Sequence, residues 1–322
     1  MRNKLLDQIR LLAAFMVILI HAPLPGMVGQ TLEAVCRVAV PLFFGISGYY
    51  AFGKSKEKLM KSAKKTAVML LWSVSIYFLW GILWSVYTGT TAKYLAEYFS
   101  VRTLAETVFL NTGVLLGHLW FLLALLYCYL IYALLLRKAS LRVRTGLSVA
   151  LLAGFFLVRE LLKMKGISDP LYYLRNFLFV GIPFFLLGGI INQQKERLIR
   201  LPAFFWIVIA CAGTAAAIAE RFFVGCYDLY AGTVVAGVAL FVFTQMPGIP
   251  TGNFLANLGE KYAGDIYVFH SMIIVILNAA ASVIGVLHTD VFVWLRPAMV
   301  LIASIGVACI KSLLERKVFS KC

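Results

Sequence analysis

The sequence predicts an all-α polytopic membrane protein of about ten transmembrane helices with both termini cytoplasmic. Three observations carry that reading. Apolar residues make up 62% of the chain and charged residues 14%, against about 45–50% and ~25% in soluble globular domains. Mean hydropathy is +0.89, and no polar stretch is long enough to build a water-soluble catalytic domain. Ten apolar windows recur along the 322 residues, each near the ~20 residues that cross a ~30 Å hydrocarbon core.

The windows fall at 5–23, 32–52, 66–88, 114–136, 145–163, 176–191, 202–220, 228–245, 262–286 and 291–312. The first follows Met1-Arg2-Asn3-Lys4 and could pass for a secretory leader. Asp7 and Arg10 interrupt it and no Ala-x-Ala site follows, so a retained helix is expected. The second carries Gly45, Ser47 and Gly48, small enough to let another helix or a ligand reach the backbone. Its Gly-Ile-Ser-Gly string is not a nucleophile elbow, which needs Gly-x-Ser-x-Gly on a strand-to-helix turn. Six lysines between Lys54 and Lys65 lead into the third window. Residues 92–113 are polar, aromatic and flanked by charge, which suits a stretch lying on the outer interface. The fourth window opens on Gly117-His118-Leu119-Trp120, and the sixth is entered through Tyr172-Tyr173-Leu174-Arg175-Asn176 and holds Pro183 and Gly188-Gly189. The ninth, after Leu258-Gly259-Glu260, contains Asp265, Tyr267 and His270. No repeat, linker or low-complexity tract divides the chain, so residues 1–322 read as a single domain.

A net charge of +16 would suggest nucleic acid for a soluble protein, but in a membrane protein basic residues gather in cytoplasmic loops. No nucleic-acid partner is expected. With the N-terminus inside, twenty of the thirty basic residues fall in inner segments, seven in outer ones, and Arg10, Arg37 and Arg296 within spans. That bias turns both ends inward. Arg159, Lys163, Lys165 and Arg175 run against it in the outer segment 159–175: either a boundary lies elsewhere or those cations have a task. The six cysteines form no CxxC pair, so neither a disulfide framework nor a zinc site is expected, and no metal is assigned.

A charge at the bilayer centre costs from ~3 to above 10 kcal/mol, so ionisable groups in spans ordinarily face a cavity and serve a function. On the first helix, eleven residues at about 100° each bring His21 within about 20° of Arg10, some 16 Å further along. One face therefore carries a cation near the cytoplasm and an imidazole near the outside, both expected to look into a shared polar interior. The plainer alternative has Asp7 and Arg10 snorkelling to the interface and His21 ending the helix. Arg37, His118 and Arg175 fall in the same outer layer and could converge there; singly, each also fits an interfacial anchor. His270 fits either the same cavity or a bond to a neighbouring helix.

These residues resemble the acyltransferase 3 membrane proteins. The likeness rests on Arg10, ten residues and His21 within a first helix reading Leu6-Asp7-Gln8-Ile9-Arg10-Leu11, and on Arg37-Val38-Ala39-Val40-Pro41-Leu42-Phe43-Phe44-Gly45-Ile46-Ser47-Gly48-Tyr49. His118-Leu119-Trp120-Phe121, Pro183-Phe184-Phe185-Leu186-Leu187-Gly188-Gly189 and Tyr267-Val268-Phe269-His270 follow in order. The resemblance implies O-acyl transfer, O-acetyl in particular, from cytoplasmic acyl-CoA to a hydroxyl of an extracytoplasmic cell-envelope sugar, lipid or small molecule, by a multi-pass protein of the bacterial plasma membrane. It makes His21 the general base, an imidazole of unperturbed pKa ~6.5 contributing about 10²–10⁴-fold, with Arg10 as its catalytic partner. Arg10, Lys61, Lys64 and Lys65 would receive the CoA phosphates, and Arg37, His118, Arg175 or His270 would grip the acceptor or the developing oxyanion. The family usually shows arginines where Lys61, Lys64 and Lys65 stand, and lysine lacks the bidentate fork; orientation of the loop is the other role open to them. Asp7-Gln8-Ile9-Arg10 and Ile46-Ser47-Gly48-Tyr49-Tyr50 are most similar to the membrane half of the vancomycin-resistance serine racemases, whose racemase half is not expected within a chain ending at Cys322. The alternative of another class is a transporter for a small serine-like molecule, with no acyl bond made; a membrane scaffold leaves Arg10 and His21 without a purpose.

Overall fold

The computed structural model describes residues 3–112, 115, 117–167 and 171–319. The extreme termini, which bear on the inward orientation, and Cys322 lie outside the described residues, as do parts of the segments before His118 and before Leu171. Among the described residues every regular element is helical.

Helix α1 (Lys4–His21) is capped by Asn3, whose side chain accepts from the Leu6 amide, and it stops at Ala22 because Pro23 disfavours a helical residue before it. The second window becomes two helices, α2 (Gly26–Cys36) and α3 (Ala39–Ala51), with Arg37 and Val38 forming the turn between them. Pro41 in the first turn of α3 has no amide to donate, so the chain breaks there without losing a bond. Helix α4 (Lys56–Tyr87) starts ten residues before its apolar window because the Ser55 hydroxyl caps it at Lys58 and lysine is itself a good helix former. The interfacial stretch folds as α5 (Thr91–Tyr98), α6 (Val101–Ala105) and a π-turn at Glu106–Leu110 that ends on Asn111 at φ 56°.

A 3₁₀ turn at Gly117–Leu119 leads into α7 (Trp120–Ile131); α8 (Leu141–Met164) follows, capped by Ser140, then the short α9 (Leu171–Leu174) and α10 (Ile182–Leu198). The chain closes with α11 (Ala203–Phe223), α12 (Ala231–Phe243), α13 (Asn253–Val283) and α14 (Asp290–Phe319). Eight stretches are long and apolar enough to cross a bilayer, counting α2 and α3 together. Of the ten expected windows, the first gives an 18-residue helix carrying Lys4, Asp7 and Arg10, and the eighth a helix of 13 residues. Large apolar side chains face outward along these rods, as lipid requires: Leu71, Trp72 and Leu83 are each 67% exposed.

The helices gather into two compact units, Met1–Phe43 with Lys195–Cys322, and Phe44–Gln194. In the first, α1 and α13 run parallel in contact while α14 runs back along α13; α11 and α12 form a tight hairpin. Glycine sets these approaches: a Cβ on Gly232 would lie 2.3 Å from the Ala217 nitrogen, and one on Gly259 would lie 1.8 Å from the Asp7 carbonyl oxygen. In the second unit the small residues expected to admit a neighbour do so. Gly48 abuts the Phe185 backbone at 1.8 Å and Gly188 that of Gly45 at 1.9 Å, measured from an added Cβ, a helix pair held at backbone contact as in membrane small-residue motifs.

Candidate functional site

The first unit holds Arg10, His21, Arg37 and His270. Arg10 sits one turn from Asp7, with Nη1 3.2 Å from Oδ1 and the carboxylate buried. Eleven residues on, the His21 ring meets that of His270 at 5.2 Å between centroids and 39° between planes. His270 is wholly buried, its Nδ1 2.7 Å from the Tyr267 carbonyl oxygen. A carbonyl only accepts, so Nδ1 carries the proton and the neutral ring has its lone pair on Nε2. Tyr267 itself lies edge-on to Phe43 at 6.4 Å. Two parallel helices thus hold an ion pair at one end and a histidine pair at the other, about 16 Å apart along α1. His21 is exposed and His270 buried behind it, an arrangement able to take a proton at the first imidazole and hold its position with the second.

Arg37 stands at the turn between α2 and α3 inside a network of carboxylates. It donates through Nη1 to Asp228 and through Nη2 to Glu33 at 2.5 Å. Arg221 reaches the other Glu33 oxygen at 3.1 Å, and the Cys226 thiol donates to Glu33 at 2.9 Å. Partial burial, together with that bond to the carboxylate, pushes the Cys226 thiol up. The Tyr230 hydroxyl ties the loop by donating to the Gly225 carbonyl and accepting from the Tyr227 amide, while Glu220 accepts from the Ala231 and Gly232 amides and caps α12. Sequence reasoning named Arg37 but not Glu33, Asp228 or Glu220. The i,i+4 spacing of Glu33 and Arg37 was a usable signal; Asp228, 191 residues away, gave none. With its Nη groups on two carboxylates, Arg37 holds this end together. Arg37→Lys is expected to lower stability by about 1–2 kcal/mol, because one ammonium does not span both partners; a thermal melt in detergent checks this, and an unchanged midpoint overturns the structural role.

The second unit holds His118, Arg175, Lys61, Lys64 and Lys65. His118 lies edge-on to Tyr77 at 4.8 Å, and the Arg175 guanidinium carbon is 5.8 Å from the Trp120 ring centre. The start of α7 therefore brings these two expected residues to one end of their unit. Lys61, Lys64 and Lys65 are exposed on the first turns of α4. Two of the cations of segment 159–165 find a local partner, since Arg159 and Lys163 both bond Glu160, at 2.8 and 3.3 Å.

The family model described as an acyltransferase domain matches residues 3–315. The chain is 30% identical over 234 residues to a serine/alanine racemase of Enterococcus gallinarum, covering 65% of this chain and 32% of that protein. It is 23% identical over 344 aligned residues to an amino-acid racemase of Enterococcus faecalis, covering 97% of this chain and 46% of that one. The chain therefore spans about a third to a half of the length of these relatives. No solved structure matches.

Proposed function

This chain belongs to the acyltransferase 3 family, and we propose that it moves an acetyl group from cytoplasmic acetyl-CoA to a hydroxyl on an extracytoplasmic cell-envelope sugar, lipid or small molecule, in the bacterial plasma membrane. Membership makes it a multi-pass membrane acyltransferase in the general sense; donor, acyl group and acceptor are the proposal. The observation that carries it is the α1 to α13 pair, with Arg10 beside Asp7 at one end and His21 against His270 at the other.

In the proposed reaction Arg10 attracts the donor's phosphates from the inner side, and the slender pantetheine arm reaches along α1. His21 takes the proton of the acceptor hydroxyl as its oxygen attacks the thioester carbonyl. The C–O bond forms, the C–S bond breaks, and the CoA thiolate leaves with the proton returned by the imidazolium. His270 positions the His21 ring.

A second reading is transport of a small molecule without acyl transfer, for which the racemase names of the relatives suggest an amino acid. One experiment separates the two. Purified protein in vesicles is given labelled acetyl-CoA and a panel of hydroxyl acceptors, serine included. Release of CoA that depends on the acceptor is expected; accumulation of serine inside the vesicles with no CoA released overturns the transferase reading.

A further inference from the structure

Most arginines that the bundle buries in part have an acidic partner, but Arg144 is different. It lies on the first turn of α8, 4% exposed. Its Nη2 donates to the Gln193 side-chain oxygen at 2.5 Å, its guanidinium carbon sits 5.1 Å from the Phe52 ring centre, and the Tyr132 phenol lies within reach of its charge. Nε and Nη1 are buried with no hydrogen-bond partner, and among the described residues no carboxylate pairs with it. By contrast, Arg10 has Asp7, Arg37 has Glu33 and Asp228, and Arg159 has Glu160. A guanidinium taken out of water without a counter-charge is strongly disfavoured, and an unpaired buried charge of this kind marks a place where a ligand supplies the opposite sign.

The surroundings form a built site. Asn192, next to Gln193, donates to the Tyr49 carbonyl at 2.8 Å, and Ser148, one turn above Arg144, donates to the Pro183 carbonyl at 2.8 Å. These bonds lock α3, α8 and α10 around the guanidinium, and the Phe52 and Tyr132 rings keep water from two of its sides. Phe52 lies two residues before Lys54, the first of the six lysines, and Tyr132 precedes Arg137 and Lys138, so the site lies at the cation-rich end of its unit.

We propose that Arg144 is the anchor of a phosphate-binding site, its open Nε and Nη1 donors taking the oxyanion of a phosphate ester. Two sources present that chemistry on this side: the phosphates of CoA, in which case the site deepens the acyl-transfer reading and rests on it, and the headgroup of an anionic phospholipid. Arginine is the side chain suited to such an oxyanion in a dry setting.

The test compares the full chain with Arg144→Met in detergent, measuring CoA affinity and the rise in melting temperature caused by phosphatidylglycerol. A CoA dissociation constant raised about tenfold or more assigns the site to CoA. A lost phosphatidylglycerol effect with CoA affinity unchanged assigns it to lipid. Both readouts unchanged overturn the proposal. Without ligand, the methionine variant is expected to melt at the same temperature or higher, because an uncompensated buried charge has gone; a lower melting temperature with ligand responses intact makes Arg144 a structural residue only and overturns it too. Should the methionine variant fail to fold, Arg144→Lys serves: the same ligand response falling severalfold supports the site, and an unchanged response overturns it. Wild-type protein that binds no CoA and turns none over fails the acyl-transfer reading alone, and the phosphatidylglycerol arm then decides Arg144.

Discussion

His21→Ala is expected to reduce acyl turnover by about 10²–10⁴-fold, the contribution of a positioned general base, while CoA affinity and melting behaviour stay close to those of the parent. The two halves of that expectation come from different ends of α1. His21 is exposed at the helix C-terminus and its ring touches that of His270, so truncating it removes a proton acceptor but little packing. Arg10, about 16 Å away, is untouched, so donor binding is expected to persist. The measurement is single-turnover release of CoA from labelled acetyl-CoA in the presence of acceptor, alongside equilibrium CoA binding. Full activity in the alanine variant removes His21 as the base. Loss of activity with equal loss of CoA binding assigns His21 to donor binding instead.

Gly259→Ala carries the largest expected effect on stability, about 3 kcal/mol, at the upper end of overpacking penalties. The added Cβ would sit 1.8 Å from the Asp7 carbonyl oxygen and 2.8 Å from its carbon, and the obstacle is backbone, so no side-chain rotation relieves it. Helices α1 and α13 must separate or slide, which moves His21 on α1 away from His270 on α13. Gly306→Ala on α14 is the control: nothing lies within 4 Å of its added Cβ, and alanine is the better helix former by about 1 kcal/mol, so that variant is expected to be neutral or stabilised. Thermal unfolding of both in one detergent decides the matter. Equal midpoints would mean that the α1 to α13 contact has slack that the structure denies.

Much of the fold was legible because hydropathy is a local property. The windows at 145–163, 202–220 and 291–312 reappear as α8, α11 and α14 with ends shifted by a few residues. Where the reading departed from the structure, a local signal was masked by a stronger one. The lysines before residue 66 hid the first turns of α4 from a hydropathy scan, although Ser55 announced the cap. The apolar run across 32–52 hid the turn at Arg37, although Pro41 hinted at it. Arg10, His21, Arg37 and His270 in the first unit, and His118 and Arg175 in the second, were all nameable from residue type and position. Their partners were not: Glu33 was within reach of spacing rules, but Asp228 comes from a distant segment.

By itself the sequence determined the membrane class, the number of apolar segments to within the short α12 and the charged α1, and the shared face of Arg10 and His21. All of these follow from composition and from a 3.6-residue period that each helix obeys alone. Only the tertiary structure decided that His270 stands behind His21, that Asp228 holds Arg37, and that among the described residues no acid pairs with Arg144. Those pairings join residues far apart in the chain, and they are set by where glycine lets two backbones touch, a property of the packed helices rather than of any one segment.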